Sequence, residues 1–368
     1  MSISSQGRRA VAATAGAAVA VGVGLSAGPA AAGDAHGTGK PVVEVIAAKL
    51  DNPRQLSVDH GHVYVAEAGR GGKKCLPGGG GPEGDTCLGT SAGVTKLYRD
   101  GGRWRQATFV AGLPSAATAD GGFATGLDGV SVRDGRASGV MTWAPPSQVP
   151  KGKPWNTLGK LLDLDWGHHR VAADISAVEL KYNPHKASVD SNPYAVLALP
   201  DGRRVVADAA GNDLVVVSPG GKAKPFTVFP NHNGHEAVPT SIALGPDGNL
   251  YVGDLNGEAT KPTARVWKVS PRGRILGWTS GFGSITGVAV TERGDLYVSQ
   301  LFAGTVTRID HATKKRTSVK VPFPAGVAVD PWDKKVYVSA WSVADRDGTV
   351  MEGGKKSPGG QVWQILGF

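Results

Sequence analysis

Three carboxylates and one amide stand at equivalent places in a segment that recurs along this 368-residue chain. Each ends a short apolar run, about six residues after a turn glycine or its equivalent. These residues are Glu67, Asp208, Asp254 and Gln300, while Met141 and Ala340 fill the same place in the two other repeats. Asn52 and Asn192 open the first apolar run of two repeats. Ca²⁺ is bound by six to eight such oxygens. We therefore predict a calcium site formed by Glu67, Asp208, Asp254, Asn52 and Asn192.

The same side chains have an alternative, structural role. Asp and Glu at the end of a strand commonly accept hydrogen bonds from the backbone N–H groups of the adjoining turn. Met141 and Ala340 contribute no metal ligand, so the repeats do not supply a complete ring of oxygens. The sequence leaves both interpretations open.

A second group of titratable residues lies in the segment PNHNGHEAVP, which contains His232, His235 and Glu236. Its spacing differs from the helical His-Glu-x-x-His of metalloproteases, and Gly234 and Pro239 disfavour a helix there. We consider a loop site for a transition metal, a general base, or a purely structural polar connection.

Four residues are candidates to contact a ligand at one rim of the molecule. Trp143 and Trp155 lie in a Pro-rich segment, where an aromatic ring can form a ligand platform. Arg54 and Gln300 are polar residues at strand ends.

The elements that must position these residues are six β-hairpins. Each reads as an apolar strand, a polar Asp/Gly turn and a strand rich in β-branched and aromatic residues. The hairpins begin at Pro53, Gly126, Pro193, Pro239, Gly287 and Gly326. The turn glycines Gly202, Gly248 and Gly294 are spaced by 46 and 46 residues, a period typical of propeller blades.

Additional strands follow each hairpin, and four strands per blade predict an all-β, six-bladed β-propeller. The last blade ends after its third strand, so the segment from Pro41 is expected to join it and close the ring. A seven-bladed or open form is the alternative. We treat 144–192 as an inserted loop with a short helix that begins at Asp174 and ends before Pro184. Long loops gather on one rim, where we expect the function to lie.

The remaining features concern location and partners. Residues 1–32 have the pattern of a secretory signal peptide, by the general or the twin-arginine route, and 33–40 form a flexible segment. Export favours a Cys75–Cys87 disulfide over zinc binding. The net charge of +9 comes from scattered residues, so we expect no nucleic-acid partner. No long apolar run follows the leader, so we expect a secreted protein without a transmembrane segment.

Several segments together resemble the ScyD/ScyE family of exported proteins, named from cyanobacterial scytonemin biosynthesis gene clusters. They include LDNPRQL from Leu50, VYVAEAGRGG from Val63, DSNPYAV from Asp190 and VVADAAGNDL from Val205. The resemblance covers nearly the whole mature chain and implies a six-bladed propeller similar to TolB and NHL proteins. It implies no settled activity. The acidic strand ends also resemble the metal site of six-bladed lactonases of the gluconolactonase and senescence-marker type.

Two functions follow as hypotheses. The first is a secreted, monomeric binding or interaction module for a small molecule or an extracellular protein. The second is a Ca²⁺-dependent lactone or ester hydrolase in which one carboxylate acts as a base. A sugar dehydrogenase that uses pyrroloquinoline quinone is a more distant alternative, because no matching motif is present.

Overall fold

The chain folds into six antiparallel sheets that form the blades of a β-propeller. The computed structural model describes residues 41–81, 84–256, 261–351 and 354–368. The predicted signal peptide, 1–32, and the segment 33–40 lie outside the described residues. Helix α1 (Ser176–Tyr182) and a 3-10 turn (Trp155–Thr157) are the described helical elements. None of the helices in the described ranges is long and apolar enough to cross a membrane.

Each blade contains four main strands, counted outward from the propeller axis. The innermost strands are β2 (Pro53–Asp59), β7 (Leu127–Arg133), β11 (Pro193–Ala198), β15 (Pro239–Leu244), β19 (Ile285–Val290) and β23 (Val327–Val329). The second strands are β3 (His62–Glu67), β8 (Arg136–Met141), β12 (Arg204–Asp208), β16 (Leu250–Asp254), β20 (Leu296–Gln300) and β24 (Val336–Ala340).

The third strands are β5 (Gly84–Asp100), β9 (Lys160–Asp165), β13 (Asp213–Val217), β17 (Ala264–Val269), β21 (Thr305–Ile309) and β25 (Gly360–Leu366). The outer strands are β6 (Arg103–Ala117), β10 (His168–Asp174), β14 (Ala223–Val228), β18 (Ile275–Phe282), β22 (Arg316–Lys320) and β1 (Val42–Leu50). Strand β4 (Lys74–Gly81) is a further strand of the first blade and pairs with β5.

Closure of the ring follows the prediction. The N-terminal strand β1 pairs antiparallel with β25, from Val42 opposite Leu366 to Leu50 opposite Gly360. A buried apolar cluster lies between every pair of neighbouring blades, including the last and the first, where Leu56 and Val63 meet Tyr337 and Val362. A single hairpin could not bury both faces, so the blades stabilise one another.

The hairpin turns also agree with the sequence. Gly202, Gly248 and Gly294 have φ values of 82°, 73° and 88°, a region that glycine enters without steric cost. We call the rim that carries these first-to-second-strand turns the turn rim. The opposite rim, which carries the second-to-third-strand loops and the connections between blades, is the loop rim.

The segment 144–192 differs from its predicted description. It contains the short helix α1. The Asp174 carboxylate accepts the N–H of Ala177, in the first turn of this helix, at 3.0 Å. The segment also contains β9 and β10, the third and outer strands of the second blade. The Pro-rich beginning of the segment led to the prediction of a loop, although the three leucines of Lys160–Asp165 form a short apolar run that fits a strand.

The predicted Cys75–Cys87 disulfide is confirmed. The two residues lie opposite each other on β4 and β5 of the first blade. The bond therefore joins the two strands of the long hairpin at the loop rim.

Candidate functional site

The acidic strand ends occupy equivalent positions, as their spacing predicts. In five of the six described hairpins the last residue of the second strand pairs with the residue that opens the inner strand. The pairs are Glu67 with Pro53, Met141 with Leu127, Asp208 with Pro193, Asp254 with Pro239, and Gln300 with Ile285.

Glu67 and Asp208 bind the backbone that enters their own blade. The Glu67 carboxylate accepts the N–H of Asp51 at 2.6 Å. The Asp208 carboxylate accepts the N–H of Asn192 and the hydroxyl of Ser191, both at 2.6 Å. Burial is the main cause that raises the pKa of both carboxyls. Both side chains thus fix the loop that precedes an inner strand.

Asp254 and Gln300 have similar roles. Asp254 accepts the indole N–H of Trp267 at 2.7 Å and lies 2.9 Å from Nε2 of His232. The Gln300 amide oxygen accepts the N–H of Gly283 at 2.8 Å. All four strand-end side chains thus lie within hydrogen-bond distance of neighbouring protein groups.

The side chain of Asn52 also forms hydrogen bonds with backbone groups. Its amide nitrogen donates to the carbonyl oxygens of Gly69 and Gly121, both at 2.8 Å, and its amide oxygen accepts the N–H of Ala124 at 3.3 Å. Within the described ranges, no three His, Cys, Asp or Glu side chains are grouped so that they could hold a metal ion. The calcium site stays a prediction, and it would require these side chains to exchange their present partners.

The histidine-rich segment does not form one cluster. His232 is buried against Asp254, whereas His235 is exposed. Glu236 is directed elsewhere, because its carboxylate lies 3.6 Å from Nε2 of the buried His185. The three predicted residues thus have different neighbours and do not meet at one site.

The two tryptophans proposed as a ligand platform are half-buried. Trp155 packs against the apolar cluster between the first two blades. Trp143 packs so close to Gly159 that a Cβ there would lie 2.7 Å from the indole. Both rings therefore contribute to packing in the second blade.

The residues that reach toward the axis come from the inner strands instead. Each of five hairpins has an irregular register just after its first residue, and such bulges re-aim a side chain. The residues at these bulges are Arg54 and Gln55, Asp128, Tyr194, Thr240, and Thr286. Of these residues, only Arg54 was predicted as a site residue. Aligning the hairpins on their first strands rather than their second would have exposed this polar layer.

Arg54 and Asp128 form a buried ion pair in this layer. The Arg54 Nε atom lies 3.5 Å from the Asp128 carboxylate, and the guanidinium also donates to the carbonyl oxygens of Ser342, at 2.8 Å, and of Ala124. Burial raises the pKa of Asp128 to about 7, although Arg54 opposes the shift. Burial also raises the pKa of the nearby Tyr194 to about 12. The hydrogen bonds of Arg54 therefore link the first blade to the loops that contain Ser342 and Ala124.

A partly open cavity of about 220 Å³ lies on the axis, and we call it the axial cavity. All six inner strands line it, through Gln55–Val58, Val130–Arg133, Ala195–Ala198, Ile242–Leu244, Val288–Val290 and Val327–Val329. The Gln55 amide crosses the axis and donates to the carbonyl oxygens of Thr240 at 2.9 Å and Thr286 at 2.6 Å. The axial cavity therefore ends at Gln55 and occupies the half of the axis next to the turn rim, away from the loops where we expected the function.

Hydrogen bonds between blades fix the walls of the axial cavity. The Ser57 hydroxyl accepts the N–H of Val132 at 2.9 Å, and that of Ser131 accepts the N–H of Ala198 at 3.0 Å. In the described sheets each inner strand is an edge, so its second row of peptide groups is not paired with another described strand and faces the axis. The arrangement offers a small guest both apolar side chains and backbone donors and acceptors.

The buried carboxyls predict a pH dependence of stability. Burial raises the pKa of Glu67 to about 6 and that of Glu179 to about 7, both from 4.5. Asp128 shifts from 3.8 to about 7. Because these values exceed those of the unfolded chain, the folded state holds protons more tightly. Their stabilising effect is complete below pH ~4 and is lost as the pH rises to about 7.

We expect the thermal midpoint to be higher at pH 5 than at pH 8. The Glu179→Gln variant should show a smaller difference, because the carboxylate of Glu179 is 2% exposed and, among the described residues, neither of its oxygens accepts a hydrogen bond. Differential scanning calorimetry at the two pH values measures this. A midpoint higher at pH 8, or an unchanged difference in the variant, would contradict it.

Comparison with known proteins establishes the fold. No family model matches the sequence, and no curated protein does either. Three similar solved structures are a luciferin-regenerating enzyme, the aldose sugar dehydrogenase of Streptomyces coelicolor in its PQQ-bound form, and a protein classed provisionally as a gluconolactonase. The first is 13% identical with a TM-score of 0.54, covering 89% of this chain and 95% of its own.

The other two similarities are of the same order. The dehydrogenase is 14% identical with a TM-score of 0.51 over 89% and 98% of the two chains. The third protein is 12% identical with a TM-score of 0.52 over 88% and 91%. At these identities the likeness shows a shared propeller fold and carries no activity across. The resemblance to the ScyD/ScyE family stays a prediction.

Proposed function

We propose that this chain is a binding module whose small ligand occupies the axial cavity. The observation that carries the proposal is the chemistry of the cavity walls. Among the described lining residues, Arg133 is the one ionisable side chain; the others are aliphatic, apart from Gln55, Ser57 and Ser131. General acid–base and covalent catalysis both need a group that exchanges a proton or attacks the substrate. These walls are suited to holding a molecule rather than transforming it.

The size of the axial cavity limits the ligand. An apolar cavity of about 150 Å³ is large enough for benzene. A cavity of about 220 Å³ therefore suits a guest of about ten non-hydrogen atoms. Inter-blade hydrogen bonds hold the walls in place before the ligand arrives, which lowers the entropic cost of binding.

The calcium-dependent hydrolase is the less favoured proposal. Its ion would displace the backbone N–H groups that now donate to Glu67 and Asp208. A buried donor left without a partner costs about 1–3 kcal/mol. The calcium–carboxylate bonds would have to offset that loss at each ligand.

We also propose that the chain is a member of the ScyD/ScyE family. We propose further that it is exported through a signal peptide at 1–32 and is a monomer, as a secreted binding protein would be. The Cys75–Cys87 disulfide supports an oxidising compartment.

Blocking the axial cavity tests the proposal. We expect the neutral probe 4-fluorophenol, followed by ¹⁹F NMR, to bind the chain at one saturable site. Ala328 lines the cavity at the edge of the apolar cluster between the last and first blades, so the larger side chain of Ala328→Phe should narrow the cavity and weaken binding by about tenfold or more. Ala312→Phe is the matched control, because Ala312 is exposed on an outer turn of the fifth blade. Absence of saturable binding, or equal binding by Ala328→Phe, would refute the proposal.

A further inference from the structure

Arg133 places a guanidinium on the wall of the axial cavity. It is the last residue of β7 and is half-buried. Its Nε donates to the carbonyl oxygen of Ala198, on the next blade, at 2.9 Å. Across the described part of the chain, no carboxylate lies within ion-pair distance of Arg133, and its two terminal nitrogens make no hydrogen bond.

The anchoring bond makes this guanidinium a preformed recognition group. Because Nε is held by Ala198, the side chain loses few rotamers when it binds a ligand. The terminal nitrogens then present a planar pair of donors, the geometry that a carboxylate accepts in a bidentate way. A cation on the wall of a cleft also attracts anions into it.

We infer that the ligand of the axial cavity is a small monocarboxylate with a compact, uncharged body. The inference deepens the proposed function and rests on it. One guanidinium balances one negative charge, whereas a dianion such as a phosphate monoester would leave its second charge without a cation on the described walls of the cavity. The body of the ligand would lie between Arg133 and Gln55, against aliphatic residues such as Ile242, Val290 and Val329.

The test compares 4-fluorobenzoate with 4-fluorobenzamide by ¹⁹F NMR, since the two probes have the same shape and differ in charge. We expect the unmodified chain to bind the benzoate about tenfold or more tightly than the amide. Arg133→Gln should abolish this preference, and Arg133→Lys, which keeps the charge but loses the fork, should reduce it. Arg136→Gln is the control, because Arg136 lies across the same turn and is exposed.

The outcomes separate the two proposals. Equal binding of both probes to the unmodified chain, with both displaced in Ala328→Phe, overturns the carboxylate inference and leaves the binding function intact. An unchanged preference in Arg133→Gln also overturns it. If neither probe binds, and 4-fluorophenol does not bind either, the binding function fails as well. A thermal scan of each variant confirms that it is folded.

Discussion

Replacing Trp267 by alanine is expected to lower the free energy of unfolding by about 3–5 kcal/mol. Trp267 is fully buried on β17 and packs against Phe229 and Trp278, with ring centroids 5.5 Å and 5.4 Å away. Its indole N–H also donates to Asp254. The substitution thus creates a cavity between the third and fourth blades and leaves a buried carboxylate with one donor fewer.

Urea denaturation followed by circular dichroism measures the loss. Trp332→Ala is the control, because Trp332 is 76% exposed and its removal should change stability by about 0.5 kcal/mol or less. Similar losses in the two variants would contradict the packing described between these blades.

Removing the Asp208 carboxylate should have the second large effect. In Asp208→Ala the N–H groups of Asn192 and Gly211 and the hydroxyl of Ser191 all lose their acceptor. We expect a loss of about 2–4 kcal/mol, since each buried donor without a partner costs about 1–3 kcal/mol and part of the loop can relax. Asp100→Ala is the control, because Asp100 is 69% exposed and forms only a surface ion pair.

Measuring the stability loss of Asp208→Ala with and without calcium distinguishes a backbone-binding role of the acidic strand ends from a calcium-binding role. If Asp208 acts through the backbone, the loss is the same in EDTA and in millimolar Ca²⁺. A calcium ligand would behave differently, because ion at a hundred times its dissociation constant adds about 2.7 kcal/mol to the folded state. A calcium-dependent gain in the unmodified chain that Asp208→Ala lacks would restore the metal site.

The sequence predicted the blades because their pattern is local. Alternating apolar residues and turn glycines such as Gly248 specify a hairpin without reference to the rest of the chain. The pairing of β1 with β25 was also predictable, since a last blade without an outer strand leaves an edge to be covered. The equivalence of Glu67, Asp208 and Asp254 follows from the same regularity.

The sequence predicted the candidate site less completely than it predicted the fold. Equivalent positions in a repeat do not say which way a side chain turns, and the carboxylates turn toward the backbone of their own blades. The polar layer at the axis depends on bulges, where the two-residue alternation of a strand fails. Gln55 bonds to carbonyl groups of Thr240 and Thr286, far away in sequence, and no local pattern could reveal that contact.

The most direct test of ligand binding in the axial cavity is anomalous diffraction from crystals of the chain soaked in 4-bromophenol. We predict a bromine peak on the propeller axis, between Gln55 and Arg133 and within the walls formed by the six inner strands. A peak found only at the loop rim, beside Glu67 or Asp208, would contradict the proposed function and move the site to the acidic strand ends.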